Sequence, residues 1–152
     1  MSRSTVCSVA NYLFPQGRVC SGDRSALEEV QKAASAAGAL KVAMVAVSGA
    51  FHTSRMDSAA AALRDVLATV TFHPPRIPVY SNVTGAPFAD AASIPALLAR
   101  QLTEPVQWES SIGAMIAAGK TEMLEMGPGA QIKAMVKRID PAVWKTTKNV
   151  QP

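Results

Sequence analysis

A histidine stands where a predicted strand passes into a predicted helix, within the stretch AVSGAFHTSR at residues 46–55. His52 is one of only two histidines in the 152 residues. An imidazole with a pKa of about 6.5 accepts and returns a proton close to neutral pH, so a histidine at the end of a buried strand suits a general base. The alternative is a structural histidine whose ring bonds a backbone carbonyl. His73, beside two prolines in a connector, is interpreted as structural.

The elements before this corner must bring it to the edge of a sheet. The strings VCSVANYLF (6–14) and RVCSG (18–22) predict a hairpin, and residues 25–38 predict a helix that begins with capping-box spacing. The apolar run LKVAMVAVS (40–48) predicts a central strand buried on both faces. Strand, strand, helix, strand is what remains of a ferredoxin-like β-α-β-β-α-β unit without its first strand and helix.

After the corner, the pattern predicts helix, strand, helix, helix, strand and helix, which is a layered α/β order. The predicted helices cover residues 56–70, 94–102, 108–119 and 130–139, and the predicted strands cover 77–82 and 121–127. GPG at 127–129 predicts a tight turn into the last helix, with an anion at that helix N-terminus as the alternative. We therefore expect an α/β fold whose two parts meet near residue 50.

Composition and charge exclude several classes of protein. The longest apolar run is far short of the roughly 20 residues that a membrane span needs, and the start shows no secretory signal. The net charge of +4 permits an acidic partner, but no basic run is interleaved with aromatics as in nucleic-acid-binding proteins. Cys7 and Cys20 are too few for a disulfide framework, and a hairpin register would place position 20 opposite about position 11. We expect a reducing compartment, no membrane and no nucleic acid.

Several short strings, in order and in register, resemble one enzyme family. VSGAFHT, PVYSNVTG, RQLTEPVQWE, EMGPG and VKRID resemble the C-terminal half of malonyl-CoA:acyl carrier protein transacylase, and ANYLFPQGRV and AVWKTTKNV resemble its mitochondrial type. The resemblance covers residues 6 to about 140. It implies a partial ferredoxin-like small subdomain at 5–48 and, at 49–150, the C-terminal part of a large, α/β-hydrolase-like acyltransferase subdomain.

The resemblance implies malonyl transfer from malonyl-CoA to the phosphopantetheine thiol of acyl carrier protein, through an acyl-serine intermediate, for fatty acid synthesis. It also implies no cofactor, a complete enzyme that is monomeric, and the mitochondrial matrix, with a plastid or the bacterial cytoplasm as alternatives. In the family a histidine activates the serine, and His52 matches that position. A main-chain carbonyl orients the imidazole, and the matching residue is Gln101. The carbonyl of Gln101 is suited to this role because the last turn of a helix leaves its carbonyls without an intrahelical partner.

Other site residues follow from the same resemblance. Phe51 in AFH would line the malonyl pocket and exclude a 2-methyl group, with core packing as the alternative. Asn11 and Asn82 match strand-end positions near the family's cleft, or they make ordinary strand-end hydrogen bonds.

The last predicted helix offers a docking face for an acidic carrier protein. Lys133, Lys137 and Arg138 lie at i, i+4 and i+5 on one side of it. A solvated face without a partner is the alternative interpretation.

No G-x-S-x-G string occurs in the sequence, so the serine nucleophile of the family is missing, as is the arginine that pairs with the malonyl carboxylate. Arg55 follows His52 on the helix and matches no motif position for that arginine. We therefore expect the chain to be inactive by itself, as part of an acyltransferase. The alternatives are an inactive fragment or pseudoenzyme that retains a carrier-protein-binding surface, and a hydrolase that uses the same histidine.

Overall fold

The computed structural model describes residues 4–151 and begins with the predicted hairpin. Strands β1 (Cys7–Phe14) and β2 (Gly17–Gly22) pair antiparallel, and helix α1 (Arg24–Ala36) lies against β2. Gly38 follows α1 with a φ of +85°, the left-handed conformation that favours glycine just after a helix. The predicted order of strand, strand and helix is confirmed.

The predicted register of the hairpin is wrong by two residues. The turn lies near Pro15–Gly17 as the sequence predicts, with Phe14 facing Gly17, but Cys20 faces Val9. The pairing shifts once between Tyr12 and Phe14 and again between Val9 and Asn11. Each shift inserts one extra residue into β1, as in a β-bulge. Cys7 and Cys20 are both free.

The predicted central strand over residues 40–48 does not form. Residues 41–47 have no regular secondary structure, and Leu40, Val45 and Val47 expose 105%, 70% and 69% of their surface. A strand needs a neighbour for its N–H and C=O groups, and none of the described residues pairs with this segment. An apolar run indicates what a segment would bury, but it does not supply the partner.

In the described part of the chain, the predicted strand at 77–82 also lacks a pairing partner over most of its length. Among the described residues, the one strand-type contact of this segment is an isolated bridge between Tyr80 and Pro87, and Ile77 and Val79 are exposed.

The remaining predicted elements form, and two more follow them. The structure has a short 3₁₀ turn (Ser54–Met56), α2 (Asp57–Leu67), α3 (Ile94–Arg100), α4 (Trp108–Ala117), β3 (Leu124–Met126), α5 (Gln131–Ile139), α6 (Pro141–Thr146) and β4 (Lys148–Val150). Strand β4 pairs in parallel with β3. Within residues 4–151, no helix is long and apolar enough to cross a membrane.

Helix α6 is not among the predicted elements, although the sequence contains a helix start signal at residues 140–141. The side chain of Asp140 accepts hydrogen bonds from the N–H groups of Ala142 and Val143, and Pro141 occupies the first helical position. An N-cap aspartate followed by proline is a strong start signal.

The best-packed part of the chain is a cluster among α4, α5 and α6. Val136 is fully buried, and Ile112 and Val143 are nearly so. Both tryptophans, Trp108 and Trp144, pack against these three side chains. This cluster fixes the start of α4, which directly follows the segment that holds His52.

Candidate active site

His52 occupies a sharp corner of the backbone. Its φ of 63° is the only positive value among the non-glycine residues that the structure describes. This left-handed conformation is uncommon for a residue with a side chain and persists only where neighbouring contacts hold it. Here the N–H of His52 donates to the carbonyl of Leu102 at 2.9 Å, and the Thr53 hydroxyl donates to the carbonyl of Ala50 at 2.7 Å. The corner therefore aims the imidazole from a fixed backbone.

The ring of His52 is half-buried and is oriented by two carbonyl oxygens. Its Nδ1 lies 2.8 Å from the oxygen of Gln101 and 3.2 Å from that of Glu104. Because a carbonyl oxygen only accepts, the hydrogen of a neutral ring resides on Nδ1, and Nε2 keeps its lone pair. The contact with Gln101 is the one that the sequence predicts. Glu104 was missed because a main-chain oxygen carries no residue-specific signal.

Residues 101–107, between α3 and α4, form what we call the positioning loop. Its Val106 N–H donates to Ala10 of β1 at 2.8 Å, and its Val106 carbonyl accepts from Tyr12 of β1 at 2.9 Å. Its Gln107 N–H donates to the carbonyl of Asn82 at 2.7 Å. One loop therefore touches His52, the hairpin and the 80–82 segment through main-chain atoms.

Two of the predicted substrate contacts, Asn11 and Asn82, lie beside this loop. Asn11 forms an isolated parallel bridge with Val106, and Asn82 bonds Gln107 through its carbonyl. The structure thus brings Gln101, Asn11 and Asn82 to one loop next to His52, although they are far apart in sequence.

Arg55 ties this corner to the hairpin. Its Nε donates to Oδ1 of Asp23 at 2.9 Å. Its Nη2 donates to Oδ2 of the same carboxylate and to the carbonyl of Ser4. The hydrogen bond to Asp23 raises the pKa of the Arg55 guanidinium further above its usual range. The Asp23 carboxylate also accepts from the N–H of Val6 at 2.9 Å. Arg55 is therefore engaged in a structural ion pair between the two parts of the chain.

Phe51 does not pack into the described core. Its side chain is 39% exposed, and it lies next to Gly49, where an added Cβ would meet the Phe51 ring at 3.5 Å. Within the described residues Phe51 is therefore partly exposed, and both its pocket role and core packing stay predictions.

The basic residues of α5 contact two different parts of the chain. Lys137 stacks its ammonium over the ring of Trp144 at 4.4 Å, on α6, whereas Arg138 places its guanidinium 4.9 Å from the ring centre of Phe14, on the hairpin. Lys133 is half-buried one turn earlier. Lys133 and Lys137 lie four residues apart on one side of the helix, whereas the Arg138 side chain is directed at the hairpin.

An acidic side chain of the chain itself occupies the N-terminus of α5. Glu125 is 7% exposed, and its two carboxylate oxygens accept from the N–H groups of Ile132 at 2.9 Å and Lys133 at 3.1 Å. Desolvation is the largest single effect and opposes ionisation, but these backbone hydrogen bonds, together with those from Asn149 and Gln131, outweigh it, so the pKa of Glu125 lies below its usual value. Gly127 and Gly129 have φ values of +127° and +89°, so GPG forms the predicted tight turn.

Known proteins with similar sequences are malonyl transferases. No protein-family model matches the chain. The chain is 39% identical over 145 residues to the human protein named malonyl-CoA-acyl carrier protein transacylase, mitochondrial, covering 93% of this chain and 37% of that protein. It is 38% identical over 134 residues to the malonyl CoA-acyl carrier protein transacylase of Salmonella typhimurium, covering 88% and 43%.

Solved structures agree with the sequence matches. The transacylase MCAT of Streptococcus pneumoniae superposes with a TM-score of 0.88 at 34% identity, over 95% of this chain and 47% of that one. The acyl-carrier-protein S-malonyltransferase of Burkholderia pseudomallei gives a TM-score of 0.91 at 31% identity, over 97% and 48%. A third structure, at 32% identity with a TM-score of 0.88, is a malonyl-transacylase in complex with its type II PKS acyl-carrier protein.

The matches cover nearly all of this chain but only part of each relative. It spans less than half the length of the curated relatives and solved chains quoted above. Nearly all of its own length is matched, with the same arrangement of helices and strands. The chain is therefore a homologue of the malonyl-CoA:acyl carrier protein transacylases, of the mitochondrial and bacterial type, and corresponds to a C-terminal portion of their α/β fold.

Proposed function

We propose that this chain supplies the general base of a malonyl-CoA:acyl carrier protein transacylase and does not transfer malonyl groups by itself. The observation that carries this proposal is the pair of carbonyls on Nδ1 of His52, which leaves Nε2 as the free basic atom. A general base must present a lone pair at a fixed place, and this geometry does so.

The proposed reaction has two half-reactions that share one imidazole. Nε2 of His52 takes the proton of a serine hydroxyl supplied by the remainder of the fold, and the serine oxygen attacks the thioester carbon of malonyl-CoA. The C–S bond breaks, and the imidazolium returns its proton to the departing CoA sulfur. The carrier-protein thiol then gives its proton to Nε2, and its sulfur attacks the carbonyl carbon of the malonyl-serine ester. The bond between that carbon and the serine oxygen breaks, and the imidazolium returns its proton to the serine oxygen.

The orienting groups differ from those of an aspartate-containing triad. The carbonyls of Gln101 and Glu104 carry no full charge, so they fix the tautomer but stabilise the imidazolium less than a carboxylate would. The Gln101 side chain has no part in this proposal.

The exposed apolar segments support the proposal that further polypeptide completes the fold. Leu40, Val45 and Val47 are each more than two-thirds exposed in a segment patterned as a buried strand. Soluble proteins rarely leave such a continuous apolar surface uncovered.

Reconstitution tests the proposed function. We expect the 152-residue chain to transfer no malonyl groups from malonyl-CoA to acyl carrier protein above the rate without protein. A fusion to the part of the Streptococcus pneumoniae transacylase that lies outside the matched region should transfer them. Turnover by the chain alone contradicts the proposed division of roles.

The same fusion separates the alternatives. A folded fusion that binds carrier protein without transfer indicates an inactive binding fragment, and a fusion that releases malonate instead of malonyl-carrier protein indicates a hydrolase.

Phe51 is proposed to set the preference for malonyl over methylmalonyl groups. In the active fusion, Phe51→Ser should raise the ratio of kcat/KM for methylmalonyl-CoA to that for malonyl-CoA by about 10-fold or more, because a smaller side chain admits a methyl group. Competition between the two thioesters measures the ratio. Phe72→Ser, a substitution of the same kind outside the site, is the control, and an unchanged ratio in Phe51→Ser rejects this role.

Lys133 and Lys137, with Arg138, are proposed to dock an acidic acyl carrier protein. Reversing Lys133 and Lys137 to glutamate in the active fusion should raise the KM for carrier protein by roughly 3- to 10-fold and leave the KM for malonyl-CoA unchanged, because rim charges act mainly on association. Added salt should shrink the difference. A double reversal of Lys32 and Arg64, on α1 and α2, changes the net charge equally; an equal effect there rejects a specific docking face.

The remaining parts of the proposal follow the relatives. We place the boundary between a small subdomain at 5–48 and a large one at 49–150, and the irregular segment 41–47 directly before it supports this division. Fatty acid synthesis in the mitochondrial matrix, without a cofactor, is proposed because mitochondrial transacylases of human, mouse and fly are among the relatives. Cell fractionation checks the location, and limited proteolysis that cuts first within 41–47 checks the boundary.

A further inference from the structure

An ion pair joins the last residue of α3 to the positioning loop. Arg100 donates from Nε to Oε1 of Glu104 at 2.6 Å and from Nη2 to Oε2 at 2.9 Å, a two-pronged contact. The N–H of Glu104 also donates to the Arg100 carbonyl at 2.9 Å. Glu104 is therefore tied to Arg100 by both its side chain and its backbone.

The same residue also touches the imidazole. The carbonyl oxygen of Glu104 lies 3.2 Å from Nδ1 of His52, and that of Gln101, which directly follows Arg100, lies 2.8 Å from it. The two oxygens that orient the ring thus belong to residues within the turn from Arg100 to Glu104 that the ion pair closes. A shift of Glu104 away from Arg100 would carry its oxygen away from Nδ1.

We propose that the Arg100–Glu104 ion pair is a positioning device that keeps both carbonyls on Nδ1 of His52 and thereby keeps the proton on that nitrogen. Its catalytic meaning rests on the proposed function, in which Nε2 is the base. The geometric claim itself concerns only the tautomer of His52 and is measurable without turnover.

The ion pair persists over the pH range in which a histidine titrates. The hydrogen bonds from Arg100 lower the pKa of the Glu104 carboxyl against the opposing effect of desolvation, so this carboxylate stays ionised. Both side chains are partly exposed, at 50% and 37%, so the effect of the pair is modest. We expect a change in tautomer ratio of about two- to five-fold when the pair is lost.

Nitrogen NMR of the ¹⁵N-labelled 152-residue chain tests the inference, because its only two histidines are His52 and the exposed His73. Long-range ¹H–¹⁵N spectra above the histidine pKa report which ring nitrogen carries the proton. Glu104→Gln and Arg100→Gln should each raise the ratio of the Nε2–H to the Nδ1–H form of His52 by about two- to five-fold. His73 should keep its ratio in every variant.

Two further variants separate positioning from a general effect on stability. The charge swap of Arg100→Glu with Glu104→Arg rebuilds an ion pair of opposite polarity between the same two positions and should restore the ratio. Glu29→Gln removes the exposed Glu29–Lys32 pair of α1, which lies on another helix, and should leave His52 unchanged.

Each outcome decides between the hypotheses. An unchanged His52 ratio in both glutamine variants, or an equal change in Glu29→Gln, overturns the positioning role while the proposed function stands. A His52 that already carries its proton on Nε2 in the unaltered chain overturns both. Tryptophan fluorescence verifies that each variant folds. If a glutamine variant does not fold, Arg100→Lys takes its place; it keeps the charge but loses the two-pronged contact and should give an intermediate ratio.

Discussion

Replacing His52 by asparagine should lower kcat/KM for malonyl transfer by a factor of about one thousand or more in the active fusion. Asparagine tolerates the left-handed backbone at this corner better than most residues, so the φ of 63° is retained. Its amide cannot accept a proton from a serine hydroxyl or a carrier-protein thiol. Chemistry is therefore lost while the corner and its contact with Leu102 remain.

Steady-state transfer assays and a thermal melt measure the two effects separately. His73→Asn, in the connector, is the matched control and should keep transfer within about two-fold, because substitutions of exposed side chains change little. A loss of less than 10-fold in His52→Asn, with the protein folded, rejects His52 as the base.

The contact between His52 and Gln101 could be predicted because the short motifs around these two residues resemble those of a family in which a main-chain carbonyl orients the catalytic imidazole. The second oxygen, that of Glu104, could not be predicted in this way. Its position depends on how the chain turns after α3, and the side chain of Glu104 accepts hydrogen bonds from Arg100, not from the histidine. Main-chain contacts become visible only when the fold is known.

The strands were predicted less well than the helices for a related reason. Helices α3, α4 and α5 form near their predicted bounds because their hydrogen bonds are internal to each segment. The apolar run at 40–48 and the segment at 77–82 need neighbours from elsewhere in the sheet, and the described residues provide only the Tyr80–Pro87 bridge. Sequence pattern shows that a segment is suited to pairing, whereas pairing itself depends on a second segment.

Replacing Val136 by aspartate should lower the free energy of unfolding by about 4 kcal/mol or more, a large share of the 5–15 kcal/mol typical of a domain. Val136 is 0% exposed and packs against Ile112 and Val143, so a carboxylate at this position would lose its water. Val136→Ala, which removes two methyl groups without adding a charge, should cost about 2 kcal/mol.

The two tryptophans make this measurement specific to the cluster. Trp108 and Trp144 are the only tryptophans in the chain, and both pack against the cluster around Val136, so their fluorescence in urea reports its unfolding directly. Val66→Asp, at a 59% exposed position of α2, is the matched control and should change stability by about 0.5 kcal/mol or less. A loss within 1 kcal/mol in Val136→Asp rejects the cluster as the stable centre of the chain.

The same substitution should also disturb the histidine, although Val136 is not among the residues that bond it. Helix α4 begins at Trp108, directly after the positioning loop, so the cluster holds one end of the loop while α3 holds the other. If Val136→Asp loosens that end, the carbonyls of Gln101 and Glu104 lose their fixed distance from Nδ1. The Nδ1–H form of His52 should then decline at urea concentrations that already unfold the tryptophan cluster. If the Nδ1–H form instead persists after the cluster has unfolded, α3 and the hairpin hold the loop without the cluster.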